Sequence, residues 1–461
     1  MRGDILGIDL GTSSVKLLLL HSDGTRQKSR AVYRGAPPEA WLAGIAEAAN
    51  GLKLQSVCAV GLSAQVGTYL VDEKHVLSWF DKAGRDELAQ IRACHSPDSF
   101  LRELAMPHPS INSYPIPRLL YLCRQFPGLH SVCQPKDFLC KILTGNWVTD
   151  KYSWRGLANP VTGQYSDYFL DYLGVDRRIL PNLMDSAACA GLVTDQAAKW
   201  LGLPQGVPVY VGMNDFFASL LGMGAICPGD GFDITGTSEH LGVIRDTLAI
   251  QTAMVSGPFL SGYVHYGVTA SSGPSLAFGL REFGLADLQW EQCLESGPPI
   301  FTPYLNGERA PIFDSDATGV FLGVTENCTR QAMAYSVMEG IAFCLRQIYE
   351  NLGSPRVERF VVSGGAAKNA VLNRLKAELL DAVLVMSEEN DTSALGAAML
   401  AAVGCGQYSD LSHAVLSLCH YAESVVPIGL GKDKLLNRYE IFKQIYPSVK
   451  NLCKQFREVS E

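Results

Sequence analysis

One pattern, which occurs twice, narrows what this chain can fold into more than any other. Residues 4–20, "DILGIDLGTSSVKLLLL", read as an apolar strand carrying Asp9, a Gly11-Thr12-Ser13 turn and a second apolar strand. About half the chain later, residues 231–244, "GFDITGTSEHLGVI", repeat the order, with Asp233 on the strand and Gly236-Thr237-Ser238 in the turn. Strand, tight turn and strand with glycine at the tip is a hairpin signature. Backbone N–H groups and hydroxyls at such a tip form a concave anion site. One copy is compatible with a plain hairpin; two copies, each opening a half, predict two related halves with two phosphate-facing loops.

The chain has 461 residues, more than one ordinary core requires. Domains are expected at 1–225 and 226–461, with a hinge near residues 224–231, "GAICPGDG", where Gly and Pro interrupt the pattern. Strand-like runs at residues 57–63, 68–72, 207–213 and 359–365 alternate with helix-like stretches such as residues 115–126 and 329–353. In the last of these Met333, Val337, Ile341 and Leu345 recur every four residues, predicting one apolar stripe. The alternation predicts α/β layers. Residues 433–456 read as an amphipathic closing helix broken near Pro447.

With 47% hydrophobic and 18% charged residues the chain reads as globular, and its net charge of −8 argues against nucleic acid or an anionic membrane as the main partner. The first strand begins within a few residues of Met1, so no secretion signal is expected, and the small-residue run 394–406 is too short to span a bilayer. Thirteen scattered cysteines, none in C-x-x-C, read as reduced thiols of a cytoplasmic protein. Nine histidines show no metal-ligand spacing, and His240 and His265 read as locally satisfied.

A third glycine element, "VVSGGAAKNAVLNRLKAELL", runs from a β-branched strand through Gly364-Gly365 into a helix whose N-terminus offers N–H donors. It is neither G-x-G-x-x-G nor G-x-x-x-x-G-K-[ST], which disfavours a dinucleotide fold and excludes a P-loop.

These elements, in this order, resemble the FGGY carbohydrate kinases of the actin, hexokinase and sugar-kinase superfamily, the xylulokinase-like branch above all. The resemblance spans about residues 5–405 and includes "GIDLGTSSVK", "PKDFLCKILTGNWVTD", "VGMNDFFASLLGMG", "DITGTSEHLGV", "PYLNGERAPIFDSDATGVFLGVT", "VVSGGAAKN" and "SALGAAMLA". It implies two ribonuclease-H-like (actin-like ATPase) domains flanking a deep cleft, sugar held mainly by the first and ATP by the second. The implied reaction moves the γ-phosphate of ATP to a hydroxyl of a small ketose such as xylulose or ribulose. Another polyol, a sugar acid, a heptulose, or a silent sugar or nucleotide sensor are the alternatives. An ATPase driving conformational change, as in actin or the heat-shock chaperones, would need a polymer- or peptide-binding module, and no such segment is visible.

Phosphoryl transfer needs a positioned γ-phosphate, charge neutralisation through Mg²⁺ and a base for the attacking hydroxyl. By resemblance Asp215, directly after the strand "VPVYVGM", is that base and touches the sugar; an ordinary helix N-cap is the other reading. A buried, ionised Asp9 wants a cation or several N–H donors, which magnesium would supply, or it caps its own turn. Thr12 and Ser13, beside Gly11, would face the β and γ phosphates, and Lys16 would point outward or inward. Gly236, Thr237 and Ser238 would line the phosphates from the second domain, Gly364, Gly365 and Ala366 would pass the adenosine, and Asn369 would lie near the base or be solvated. Small-residue turn 269–275 is compatible with nucleotide contact, and Glu308-Arg309 with a structural ion-pair network.

The sugar side departs from the xylulokinase pattern. Gln-Met-His-Gly is replaced by Ala64-Gln65-Val66-Gly67, and Trp-Asn-Asp-Gly-Arg by Trp79-Phe80-Asp81-Lys82-Ala83-Gly84-Arg85. Both changes alter hydroxyl recognition rather than phosphate handling. Gln65, Trp79, Asp81 and Arg85 are the pocket candidates, with core packing the other reading of Trp79; Tyr114 and Arg118 follow, Arg118 reading first as a solvated helix residue and only then as a ligand. A homodimer is left open.

Overall fold

The computed structural model describes residues 3–35, 37–251, 253–284 and 289–460. The chain divides into two compact units, Met1–Ile226 with Asp391–Cys419, and Cys227–Asn390 with His420–Glu461. The first crossing lies one residue past the expected boundary. The expectation that everything after residue 226 stays in the second domain needs correction, because Asp391–Cys419 return to the first.

Composition explains that return. The helix Thr392–Gly404 is made almost entirely of small and apolar residues, and Thr392–Ala402 are all buried. Two glycines let it sit directly on the first sheet: a Cβ at Gly7 would lie 2.1 Å from the Ala394 carbonyl oxygen, and one at Gly61 1.9 Å from that of Ala397. Any side chain at either position would push the helix away.

In the first unit β1 (Asp4–Leu10), β2 (Ser14–Leu20), β3 (Arg26–Val32), β4 (Val57–Ala64), β5 (Cys189–Leu192) and β6 (Pro208–Asn214) form one sheet, ordered β5-β6-β4-β1-β2-β3. β1 runs antiparallel to β2 and parallel to β4, and β6 is parallel to β4. β1 and β4 are buried almost throughout, as parallel neighbours inside a sheet must be. The edge strand β3, "RQKSRAV", is charged and largely exposed, which discourages pairing with a further strand.

The second unit repeats the plan. β7 (Gly231–Thr235), β8 (Glu239–Arg245), β9 (Val255–Phe259), β10 (Gly262–Thr269), β11 (Arg359–Gly364), β12 (Val383–Ser387) and β13 (Tyr421–Val425) are ordered β9-β10-β8-β7-β11-β12-β13. A three-stranded antiparallel meander, two parallel strands and an antiparallel edge strand occur in both sheets; only β9 is additional. Both units therefore have the expected ribonuclease-H-like topology.

The likeness of the two hairpins is imperfect in a way that matters. Counted back from the shared Gly-Thr-Ser, Asp9 lies two residues upstream and Asp233 three. Successive side chains on a strand face opposite ways, so the two aspartates do not occupy equivalent positions. Their partners, described below, differ accordingly.

Two helices depart from expectation. Arg330–Asn351 carries no single stripe; it is buried all round from Ala334 to Leu345 and contributes to two core clusters, while Met333 is only partly buried. The C-terminal helix Lys432–Ser460 runs through Pro447 without a break. Ile445 and Tyr446 before the proline and Cys453 after it are buried, so packing on both sides holds the helix together despite the missing N–H. Arg438 adds a bidentate contact, its Nε and Nη2 donating to Oε1 and Oε2 of the buried Glu339 at 2.7 Å each.

Candidate active site

In the first unit the site is built at the ends of β1, β4 and β6. Asp9 is buried, and each carboxylate oxygen accepts one hydroxyl: Oδ1 from Ser63 on β4 at 3.1 Å, Oδ2 from Ser393 at 2.5 Å. The self-capping reading of Asp9 is thereby replaced by partners from two other segments. Burial pushes its pKa up, opposed by the nearby charge of Lys16 and by the two hydroxyls. Lys16 sits opposite Asp9 in the β1–β2 register and turns toward the returning segment, 3.3 Å from Asp391.

Asp215 opens the helix Asp215–Met223 immediately after β6. It is not the cap: Asn214 is, its Oδ1 accepting from the Phe217 N–H at 3.0 Å while its Nδ2 donates to the Tyr152 carbonyl. That leaves the Asp215 carboxylate, partly exposed, with the Phe216 N–H on Oδ1 at 2.8 Å. Burial first, and the charge of Asp9 second, push its pKa up to about 7. A carboxyl poised there can accept a proton near neutral pH.

Gly11, Thr12, Gln65 and Trp79 form one hydrogen-bonded cluster. Gln65 Nε2 donates to the Gly11 carbonyl at 3.2 Å, Gln65 Oε1 accepts from Thr68 Oγ1 at 3.1 Å, and Trp79 Nε1 donates to Thr12 Oγ1 at 3.1 Å. Tyr33 also donates its hydroxyl to the Gly11 carbonyl. Trp79 is half-buried, not a core residue, and joins the 78–81 loop to the first turn; Thr12 and Ser13 remain exposed at the tip.

Asp81 and Arg85 stand apart from this cluster. Both are exposed, Asp81 accepting the Ala83 N–H at 2.8 Å and Arg85 opening the helix Arg85–Cys94. Arg118 reverses its expectation, being fully buried rather than solvated. Its Nη2 donates to the carbonyls of Ser78 at 3.0 Å, Trp79 at 3.4 Å and Asp81 at 2.9 Å, clamping the loop that carries Trp79. Tyr114 precedes the same helix, Pro115–Gln125, as its N-cap residue.

In the second unit Gly236 and Thr237 are exposed at the tip between β7 and β8. The turn is stitched down on several sides: the Gly236 carbonyl accepts the Gly273 N–H at 3.1 Å, and Thr235 Oγ1 donates to the Ser363 carbonyl and accepts the Ala366 N–H. Ala366 is thus buried and bonded, whereas Gly365 is exposed. A short 3-10 turn, Gly365–Lys368, separates the strand from the helix Ala370–Leu380, and Asn369 caps that helix by accepting the Leu372 N–H at 2.9 Å. Gly364 has φ +96° and a Cβ there would lie 1.9 Å from the Thr235 carbonyl oxygen. Gly364→Ala is expected to lower thermal stability by about 2 kcal/mol or more, a loss of several degrees in a melt; an unchanged melting temperature would contradict the close approach.

Glu308 is buried and holds the 269–270 turn, accepting Thr269 Oγ1 at 2.9 Å, the Ala270 N–H at 2.8 Å and the Arg309 N–H at 2.6 Å. Arg309 reaches Ser238, Nη1 to Oγ at 3.5 Å. Beneath the turn Lys376 Nζ bonds Asp233 Oδ2 at 2.8 Å and Glu239 Oε1, all three groups fully buried. Burial and the neighbouring Glu239 push Asp233 up; burial opposes ionisation of Glu239 too, but Lys376 together with hydrogen bonds from Asp233 and Ser272 holds Glu239 low. His265 is satisfied locally, by Ser256 Oγ at 2.9 Å and the Thr247 carbonyl at 3.1 Å.

Two family models match the chain: the N-terminal domain of the FGGY family of carbohydrate kinases over residues 38–222, and its C-terminal domain over residues 233–405. The chain belongs to the FGGY family of carbohydrate kinases. It is an ATP-dependent sugar kinase. This FGGY kinase is 27% identical to the xylulose kinase of Lactococcus lactis subsp. lactis (strain IL1403), over 99% of both chains. Among solved structures it resembles a ligand-bound xylulose kinase from Lactobacillus acidophilus (TM-score 0.87, 22% identity, 98% and 99% of the two chains). A gluconate kinase from the same organism is equally similar in fold (TM-score 0.86, 22% identity, 98% and 99% covered). The fold is thus shared between kinases named for different sugars.

Among the described residues no group of three or more His, Cys, Asp and Glu side chains is placed to hold a metal, and no helix is long and apolar enough to cross a membrane. Magnesium in a phosphoryl-transfer site keeps several waters and takes one or two carboxylates plus substrate phosphates, so such a group is not required. Asp9 fits that use, with one hydroxyl on each oxygen and a buried negative charge only partly offset.

Several residues that touch the candidates or their neighbours escaped the sequence reading: Ser63, Ser393, Asp391, Tyr33, Glu239 and Lys376. Ser393 lies 384 residues from Asp9. The one signal for it was the small-residue run that follows, which marks a helix able to pack closely on a strand.

Proposed function

We propose that this kinase transfers the γ-phosphate of ATP to a hydroxyl of xylulose in the cytoplasm, with Asp215 as the base and Asp9 as the carboxylate facing magnesium. The observation that carries the reading is the Asp215 carboxyl, partly exposed at the end of a central strand and poised near pH 7. Xylulose is favoured by the 27% identity to a protein named xylulose kinase along essentially its whole length. Thirteen free cysteines suit a reducing compartment.

In the step itself the hydroxyl proton passes to Asp215, the hydroxyl oxygen bonds to the γ-phosphorus, and the bond to the ADP oxygen breaks with its electron pair leaving on ADP. Magnesium, when bound, offsets the charge on the transferred phosphate and the leaving oxygen. Thr12, Ser13 and the 236–238 turn orient the phosphates, the 364–366 segment flanks the adenosine, and Asn369 keeps the helix start beside it in place. Gln65 and Trp79 line the sugar side with Arg118 behind them, and Asp81 and Arg85 frame its entrance.

A coupled ADP-release screen over ketopentoses, ketohexoses, a ketoheptose, polyols and sugar acids including gluconate tests this, with Asp215→Ala as control. Xylulose is expected to lead in kcat/KM by roughly tenfold or more, because each unmatched buried hydroxyl partner weakens a competing substrate. A different leading substrate overturns the sugar; turnover that persists in the variant overturns the base.

A further inference from the structure

Lys376 is among the buried polar groups that the proposed chemistry does not use. It lies on the helix Ala370–Leu380, the helix that follows the Gly364–Asn369 segment, and its ammonium is fully enclosed. It bonds Asp233 on β7 and Glu239 at the start of β8, two residues that bracket the Thr235–Ser238 turn from either side. Three enclosed ionisable groups are a poor way to gain stability, since apolar side chains of similar volume often do as well or better. What such a network supplies is a fixed geometry. The Thr235 hydroxyl, bonded to Ser363 on β11 and to Ala366 in the turn after it, ties β7 to the segment that leads into that helix.

We propose that Lys376 is a positioning residue for the nucleotide: its bonds to Asp233 and Glu239 lock the Gly236–Ser238 turn against the helix that follows Gly364–Asn369. The phosphate-binding turn and the adenosine-flanking segment thereby keep one spacing, and a nucleotide spans the two without having to order them. The inference rests on the kinase reading above for what those two segments bind. It assigns Lys376 no contact with ATP.

The test uses the full-length enzyme with Glu239→Gln and Lys376→Met combined, which removes one positive and one negative charge and leaves Asp233, whose carboxyl burial holds in its neutral form, without a charged neighbour. ADP and ATP affinity by calorimetry and steady-state kinetics are read together. Expected is a rise of about tenfold or more in the dissociation constant for ADP and in the KM for ATP, with the KM for sugar within about twofold of wild type and the melting temperature retained. A folded variant that binds ADP as tightly as wild type overturns the proposal, and so does a variant whose kcat and both KM values shift together. Wild-type enzyme that binds ADP but turns over no sugar refutes the kinase reading alone, because the affinity comparison still decides the role of Lys376; wild type that binds no ADP refutes both. Should the combined variant fail to fold, Glu239→Gln alone gives the same comparison with the same deciding outcomes.

Discussion

Asp215→Asn should lower kcat by about 10²- to 10⁴-fold, the range a positioned general base contributes, with the KM for ATP little changed. Wild-type kcat/KM should climb about tenfold per pH unit below pH 7 and level off above it, because the carboxylate is the working form and its pKa is pushed up to about 7. A flat profile between pH 5 and 8 would remove Asp215 from the role. The same substitution should act in the opposite direction on stability. An unfolded aspartate titrates near pH 4, roughly three units lower. Between those values the folded state binds more protons than the unfolded state, so stability falls as pH rises, and the full deficit is present above pH 7. Asparagine never ionises. The variant should therefore melt higher than wild type at pH 8, by the equivalent of about 1–2 kcal/mol after discounting for the partial exposure of the carboxylate, and near wild type at pH 4.5. A variant less stable at pH 8 would mean that the charge of Asp215 is compensated in the fold.

Asp9→Asn is expected to reduce kcat/KM for magnesium-ATP by about 10²- to 10³-fold and to raise the magnesium concentration needed for half-maximal rate, with sugar affinity unchanged. The amide keeps the size of the side chain and an oxygen to accept Ser63 or Ser393, so the loss reports charge rather than packing. Calorimetry separates the cases: sugar binding weakened while nucleotide binding survives would contradict the placement. Because burial already disfavours ionised Asp9, the fold should tolerate the change.

Much of this was readable along the chain. Seven strands of the two central sheets (β1, β2, β4, β6, β7, β8 and β11), the Gly-Thr-Ser turns and the Gly364-Gly365 turn follow local rules: a continuous apolar run makes a doubly buried strand, and glycine marks a tip or a close approach. The small-residue run 394–406 reads as a buried helix because nothing in it is polar enough to face water; the helix itself starts two residues earlier, at Thr392. Pro447 shows where local rules fall short. The proline predicts a break, and the burial of Ile445, Tyr446 and Cys453 overrides it. Arg118 shows the same limit for charge, since a helical arginine usually faces water and only the carbonyls of the 78–81 loop make burial tolerable.

By itself the sequence determined the two-fold α/β plan, the order of its elements and the acidic residue at the end of β6, because strand periodicity, turn chemistry and a nearby helix start are properties of neighbouring residues. Tertiary structure alone decided that residues 391–419 rejoin the first unit, that Ser393 meets Asp9, and that Asp233 turns to Lys376 instead of sharing the place of Asp9. A one-residue offset along a strand reverses the face a side chain occupies, and its partner there is chosen by which distant helix packs closely enough to reach it.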